Sequence, residues 1–239
     1  MKNLSKPLLA GLLALLTLSS MAQEAAIRKS IQERLPDWPR IDEVNKTPMP
    51  GLYEIRINGV QIFYTDAAGN YLIEGGSLVD LRQRRNLTEE RMDKLTAISF
   101  DDLPVKDAFT VVRGNGTRKV AIFADPNCGY CKHFERELAN VDNITIHTFL
   151  YPILSRDSAE KSRNIWCAKD RNKSWQDWML NDQVPAPLNC DAGAIARNLT
   201  LGRKHNVTGT PTLIFADGKR VSGALPMQQF EKQLSSATR

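Results

Sequence analysis

Histidine is scarce in this chain, with three in 239 residues, and there are only four cysteines. No histidine sits at knuckle spacing. A four-cysteine zinc site usually needs two close pairs, and this chain has one, Cys128 and Cys131. Cys167 and Cys190 stand too far apart in sequence to make a second. Neither a metal nor another cofactor is therefore expected. Beyond residue 22 no run approaches the length of a membrane span. Blocks of like charge are also missing. The formal charge is +5, two units of which are Lys2 and Lys6, and the only basic cluster is Arg82-Gln83-Arg84-Arg85. That run reads as a solvated turn, so no nucleic-acid partner is expected.

The N-terminus reads as a leader for export. Lys2 and Lys6 form a basic start, Leu8 to Leu18 an apolar stretch too short to cross a bilayer comfortably, and Ser20-Met21-Ala22 a small-x-small cleavage site. Residues 1–22 are thus assigned to a signal peptide, which places the mature protein in an oxidising compartment where disulfides persist. There, four cysteines divide into one close pair and one long-range bridge, Cys167 with Cys190. Arithmetic alone leaves three connectivities open.

Cys128-Gly129-Tyr130-Cys131 is the feature with the most chemistry. It follows a strand-like run, Val120 to Ala124, and the break Asp125-Pro126-Asn127, and it precedes a helix-like run, Lys132 to Asn140. This order sets Cys128 at a helix N-terminus, where unpaired N–H groups favour an anion and lower a thiol's pKa. Cys131 follows one turn later on the same face, placed to attack a mixed disulfide held on Cys128. Gly129 and Tyr130 are the two positions that tune such a pair.

Around this motif the chain reads as α+β. Residues 23–85 form a small strand meander with one helix. Ile27, Ile31 and Leu35 share a helical face, and Pro36 and Pro39 stop it. Tyr53, Ile55 and Ile57 alternate with polar residues. Asn58-Gly59 predicts a two-residue hairpin, with Val60, Ile62 and Tyr64 on the return strand. A unit this small leaves sheet edges unpaired, and pairing with a second copy would cover them. Packing against the rest of the chain is the competing solution. Residues 86–104 predict a connecting helix, capped by Thr88 or by Asn86. From 105 to 239 strands and helices alternate, with a polar helical insertion over 155–190. Pro211 precedes the strand Thr212 to Phe215 and, on its residues alone, reads as a trans strand-start proline.

Three segments together resemble the DsbC type of disulfide isomerase within the thioredoxin superfamily: Phe123 to Lys132, Ile165 to Asp170, and Val207-Thr208-Gly209-Thr210-Pro211. The resemblance covers nearly the whole chain after the leader. It implies an N-terminal dimerisation domain, a linker helix and a C-terminal thioredoxin-like domain with a helical insertion, assembled as a V-shaped homodimer. It implies that Cys128 is the nucleophile and Cys131 the resolving thiol. Thr210 and a cis Pro211 would meet substrate backbone, and Cys167–Cys190 would be structural. Its implied setting is the periplasm, its clients wrongly paired exported proteins, and its electron donor a membrane-bound thiol reductase. A dedicated thiol reductase, or a chaperone with secondary redox activity, are the rival readings. Two departures from thioredoxin itself weaken the general-reductase reading. Asn127 stands where thioredoxins carry Trp, and Ile122 where they carry a buried acid.

Overall fold

A computed structural model describes residues 7–238, with side chains from Met21 onward, so residues 1–20 of the expected leader lie outside its full description. Among the described residues no helix is long and apolar enough to cross a membrane. The chain divides into two units, Met1–Leu95 and Thr96–Arg239.

In the first unit α1 (Pro7–Arg34) packs Ile27 and Ile31 onto a four-stranded antiparallel sheet of β1 (Ile41–Lys46), β2 (Leu52–Ile57), β3 (Gln61–Asp66) and β4 (Leu72–Glu74). The core they enter contains Ile41, Val44, Ile55, Ile57 and Phe63, with Trp38 edge-on to Phe63 at 5.0 Å. Leu35, expected on the same helical face, lies past the helix end and is exposed.

The β2–β3 connection corrects the predicted hairpin. Ile57 pairs with Gln61, so three residues, Asn58, Gly59 and Val60, make the turn. Asn58 and Gly59 both have positive φ, and the Gly59 N–H donates to Asp42 Oδ2 at 2.7 Å, tying the turn to β1. The extra residue slips the register by one, which exchanges the two faces of the returning strand. Phe63, opposite Ile55, therefore enters the core in place of Ile62. Tyr64 turns to the other face, where its hydroxyl meets that of Thr88.

A short ribbon, β5 (Val79–Asp80) with β6 (Arg85–Asn86), leads into α2 (Leu87–Thr96). Asn86 is the cap, accepting the Glu89 N–H at 3.1 Å, while Thr88 is occupied by Tyr64 and the Leu78 N–H. No residue of α2 is fully buried. Arg91 fastens the helix by bridging Glu43 and Glu54. The helix expected over 86–104 stops at Thr96. Beyond it Ile98, Phe100 and Leu103 enter the core of the second unit through 3₁₀ turns at Phe100–Asp102 and Val105–Asp107.

The second unit is built on a five-stranded sheet ordered β11-β10-β8-β9-β7. Its strands are β7 (Phe109–Arg113), β8 (Arg118–Ala124), β9 (Ile144–Leu150), β10 (Thr212–Phe215) and β11 (Arg220–Ser222). Its helices are α3 (Gly129–Leu138), α4 (Arg156–Cys167), α5 (Arg171–Asn181), α6 (Gly193–Lys204) and α7 (Met227–Ser236). β8 and β9 are parallel, joined through α3. Val120 to Ala124 are all buried, as a central strand covered on both faces requires. Val120, Ile122 and Ala124 meet Phe134, Leu138, Phe230 and Leu234 of α3 and α7. Ala121 and Phe123 meet Phe149, Tyr151 and Val207 on the opposite side.

Tyr151 continues β9 through its N–H to the Ala124 carbonyl, and its hydroxyl donates to the Val207 carbonyl at 2.9 Å. The phenol edge of Tyr151 fills the space beside Gly202, where an added Cβ would collide with its Cε2, Cζ and hydroxyl oxygen. In an exposed helix, Gly to Ala stabilises by about 1 kcal/mol. At Gly202 the clash reverses the sign. Gly202→Ala is expected to destabilise the protein by about 1–3 kcal/mol, read as a fall in the urea midpoint at constant slope.

Candidate active site

β8 ends at Ala124, and three residues turn the chain into α3. Each of the three is held by a different element. The Asp125 carboxylate, wholly buried, accepts the N–H groups of Asn127 (2.8 Å), Ile153 (2.9 Å) and Leu154 (3.0 Å). The Pro126 carbonyl accepts the indole N–H of Trp178, on α5, at 2.6 Å. The Asn127 amide reaches the start of α4, donating to Asp157 at 2.6 Å and to Ser158 at 3.1 Å. The Trp178 ring is flanked by Lys132 and Lys161, whose ammonium groups lie 3.9 and 4.5 Å from its centroid.

This turn delivers Cys128 to the N-cap of α3, where its sulfur accepts the Cys131 N–H at 3.3 Å. Both thiols are free, and each residue is about 5 % exposed or less. Their environments drive them apart. Cys128 is lowered to about 6, above all because the Cys131 thiol donates to it. The N–H groups of Cys131 and Tyr130 add to this, while burial opposes it. Cys131 is pushed far up, first by burial and then by the adjacent Cys128 sulfur. One sulfur is thus an anion at neutral pH, and the other holds its proton and lends it as a hydrogen bond.

The segment before β10 completes the site. The Thr210–Pro211 peptide bond is cis, and the Thr210 carbonyl lies 3.1 Å from the Cys128 sulfur. Beside the pair there is room for an approaching chain. A Cβ added at Gly129 or Gly209 would meet nothing within 4 Å, and Tyr130 is 73 % exposed. Ile153 and Leu154 also expose apolar surface, held by the carboxylate that anchors the Cys128 turn.

The remaining cysteines are joined to each other, Cys167 to Cys190. Cys167 ends α4, about 15 Å along the helix from Asp157 at 1.5 Å per residue, so this bridge is remote from the part of α4 that touches the turn. His133 is largely exposed on α3, 3.7 Å from Glu137, and takes no part. Among the described residues no cluster of His, Cys, Asp and Glu could hold a metal ion. Asp125, Trp178, Ile153 and Leu154 were not marked by the sequence. Asp125 was legible only as part of a chain break, and the others are brought to the turn by tertiary contacts with no local signal.

The family described as Disulfide bond isomerase protein N-terminal domain matches residues 18–89, and that described as Thioredoxin-like domain matches residues 105–238. The chain is 45% identical over 212 residues to the protein of Bordetella parapertussis named "Probable thiol:disulfide interchange protein DsbC", spanning 89% of this chain and 74% of that one. It is 27% identical over 230 residues to the "Thiol:disulfide interchange protein DsbC" of Escherichia coli K12, spanning 93% and 92%. A crystal structure of a disulfide interchange protein from Neisseria gonorrhoeae, 38% identical, superposes with a TM-score of 0.55 over 57% of this chain and 99% of its own.

The lowered thiol has two measurable consequences. Alkylation of the reduced protein is expected to titrate with a midpoint near 6 and to modify Cys128, leaving Cys131 intact below about pH 9. Stability should follow the same group. An unfolded cysteine titrates near about 8.5, so the Cys128 contribution is fully present above that value and is lost as pH falls through about 6. The urea midpoint of the reduced protein, relative to the oxidised one, should therefore decline between pH 8.5 and pH 5, a range referred to the same two titration values.

Proposed function

The chain belongs to the DsbC family of thiol:disulfide interchange proteins, and from that membership we propose that Cys128 attacks, and Cys131 resolves, disulfides that are wrongly paired in exported proteins. The observation that carries this reading is the free cysteine pair at the N-cap of α3, with the Cys131 N–H 3.3 Å from the Cys128 sulfur and the cis Thr210–Pro211 segment beside it.

In the first step the Cys128 thiolate bonds to one sulfur of a client disulfide. The client S–S bond breaks, and the other client sulfur leaves as a thiolate. That thiolate can open a second client disulfide. When a client thiolate finally attacks the mixed disulfide, it expels Cys128 as the thiolate it was, and no electrons have been gained or lost. If the intermediate stalls, Cys131 gives up its proton and attacks the Cys128 sulfur. A Cys128–Cys131 disulfide forms and the client leaves reduced. Two electrons must then come from outside, the role we assign to a membrane-bound thiol reductase. Gly129 and Tyr130 set the spacing and exposure of the pair, and Thr210 beside Pro211 offers backbone to the client chain. Cys167–Cys190 is structural, worth about 3 kcal/mol on the chain-entropy account of a bridge of this span.

We place the protein in the periplasm, where its relatives' chemistry belongs, as a homodimer joined through the first unit. The support lies in β4. It pairs with β3 on one side only, and its Leu72 and Ile73, with Tyr71 just before it, are all exposed. An apolar sheet edge of this kind calls for a partner strand, and a second copy supplies one.

Recovery of a scrambled multi-disulfide enzyme in glutathione buffer tests the chemistry. Wild type should raise recovery well above buffer, Cys128→Ser should return it to the buffer level, and Cys131→Ser should accumulate client adducts on a non-reducing gel. Fast reduction of a simple disulfide with no recovery would assign a dedicated reductase instead. Sedimentation tests the assembly. Ile73→Lys should weaken the dimer by about 2 kcal/mol, roughly thirtyfold in dissociation constant, and an unchanged wild-type monomer would refute the interface.

A further inference from the structure

Asp125 has no part in the exchange chemistry, yet its carboxylate is the most completely enclosed acid beside the site, with none of its surface exposed. Its partners are backbone N–H groups from two separate segments, one in its own turn and two in the loop after β9. Its own carbonyl accepts the Cys128 N–H at 3.1 Å. A single residue therefore holds two successive N–H groups, those of Asn127 and of the nucleophile Cys128, and fastens them to the loop bearing Ile153 and Leu154.

We propose that Asp125 is a positioning residue, whose carboxylate fixes the Cys128 sulfur within reach of the donors that hold its charge. The proposal rests on Cys128 being the attacking sulfur. The donors at issue, the Cys131 N–H and thiol, lie on α3, to which the Cys128 carbonyl is tied by the Lys132 N–H at 3.0 Å. The turn sets the side from which Cys128 meets that first helical turn, and letting it relax lengthens the bonds from those donors to the sulfur. An asparagine at 125 has the right volume but turns an N–H₂ toward groups that are themselves donors, so at least one of the three bonds must fail.

Charge and position predict opposite signs, which makes the idea testable. Removing a negative charge near Cys128 would by itself make the thiol more acidic. Losing the position makes it less acidic. The pH profile of iodoacetamide alkylation at Cys128, followed by mass spectrometry, separates the two in the full reduced protein. In Asp125→Asn the rate at pH 6 is expected to fall about fivefold, the loss of thiolate that a one-unit rise would cause there, with the rate above pH 9 kept. Asp107→Asn is the control. Asp107 is equally buried, is bound to Arg197 at 2.7 and 2.9 Å, and touches no part of the turn. That variant should lose stability and keep the wild-type profile.

An unshifted profile in Asp125→Asn, a shift to lower pH, or an equal shift in Asp107→Asn would each overturn the proposal. A wild-type Cys128 that does not titrate low would instead refute the reading of the nucleophile. If Asp125→Asn does not fold, hydrogen exchange on the wild type decides. The Asn127, Ile153 and Leu154 amides should exchange at least about a hundredfold slower than coil, and coil-like rates there would show that no such clamp exists.

Discussion

The charge on Cys128 has to be held by hydrogen bonds from its own helix, because burial works against it. A sulfur that is almost inaccessible to water loses solvation on ionising, and only donors already in place can return it. The Cys131 N–H and thiol are such donors, and they come with the helix turn itself. What the helix cannot supply is the position of the residue before its first turn. That is set from outside, by the 153–154 loop through Asp125, by α5 through Trp178 and by α4 through Asn127. The helical insertion is thus more than an appendage to the sheet. It grips the turn on which the acidity of the thiol depends.

The same economy of placement explains the division of labour within the pair. Cys131 keeps its proton because it is deep in the core that α3 forms with Val120, Ile122 and Phe215, and because its neighbour is charged. The proton it keeps is the strongest support the Cys128 anion has. One helix turn therefore yields two thiols of the same intrinsic chemistry and opposite behaviour. Burial and hydrogen bonds within the site set the two apart.

Much of this was legible in the chain. The strand, break, CxxC and helix order placed Cys128 at a helix start without any structural help, because the chain break leaves Cys128 just before the first turn of the helical run. The alternation of the second unit likewise announced a sheet with crossovers. The failures have a common cause. The hairpin at Asn58-Gly59 carries a strong local signal for a two-residue turn, yet Asp42, 17 positions away, binds the Gly59 N–H and a third residue joins the turn. One residue of slip then exchanged Ile62 for Phe63 in the core. Pro211 read as trans from its neighbours, and the cis bond followed only from the family resemblance. Asp125 looked like a chain break because its role is to receive N–H groups from a loop nearly thirty residues on. In each of these cases the missing information was a partner distant in sequence, whereas the Cys167–Cys190 bridge was legible because cysteines are few enough to count.

The bridge between Cys167 and Cys190 carries a consequence for the protein's own history. A newly made chain holds four reduced cysteines, and these can be joined in three ways. Only one pairing leaves Cys128 and Cys131 facing each other at the head of α3. In any compartment oxidising enough to close the bridge, the chain must first be sorted among the same kind of wrong partners that it later unpicks. Its maturation is an instance of the problem for which its folded form is built.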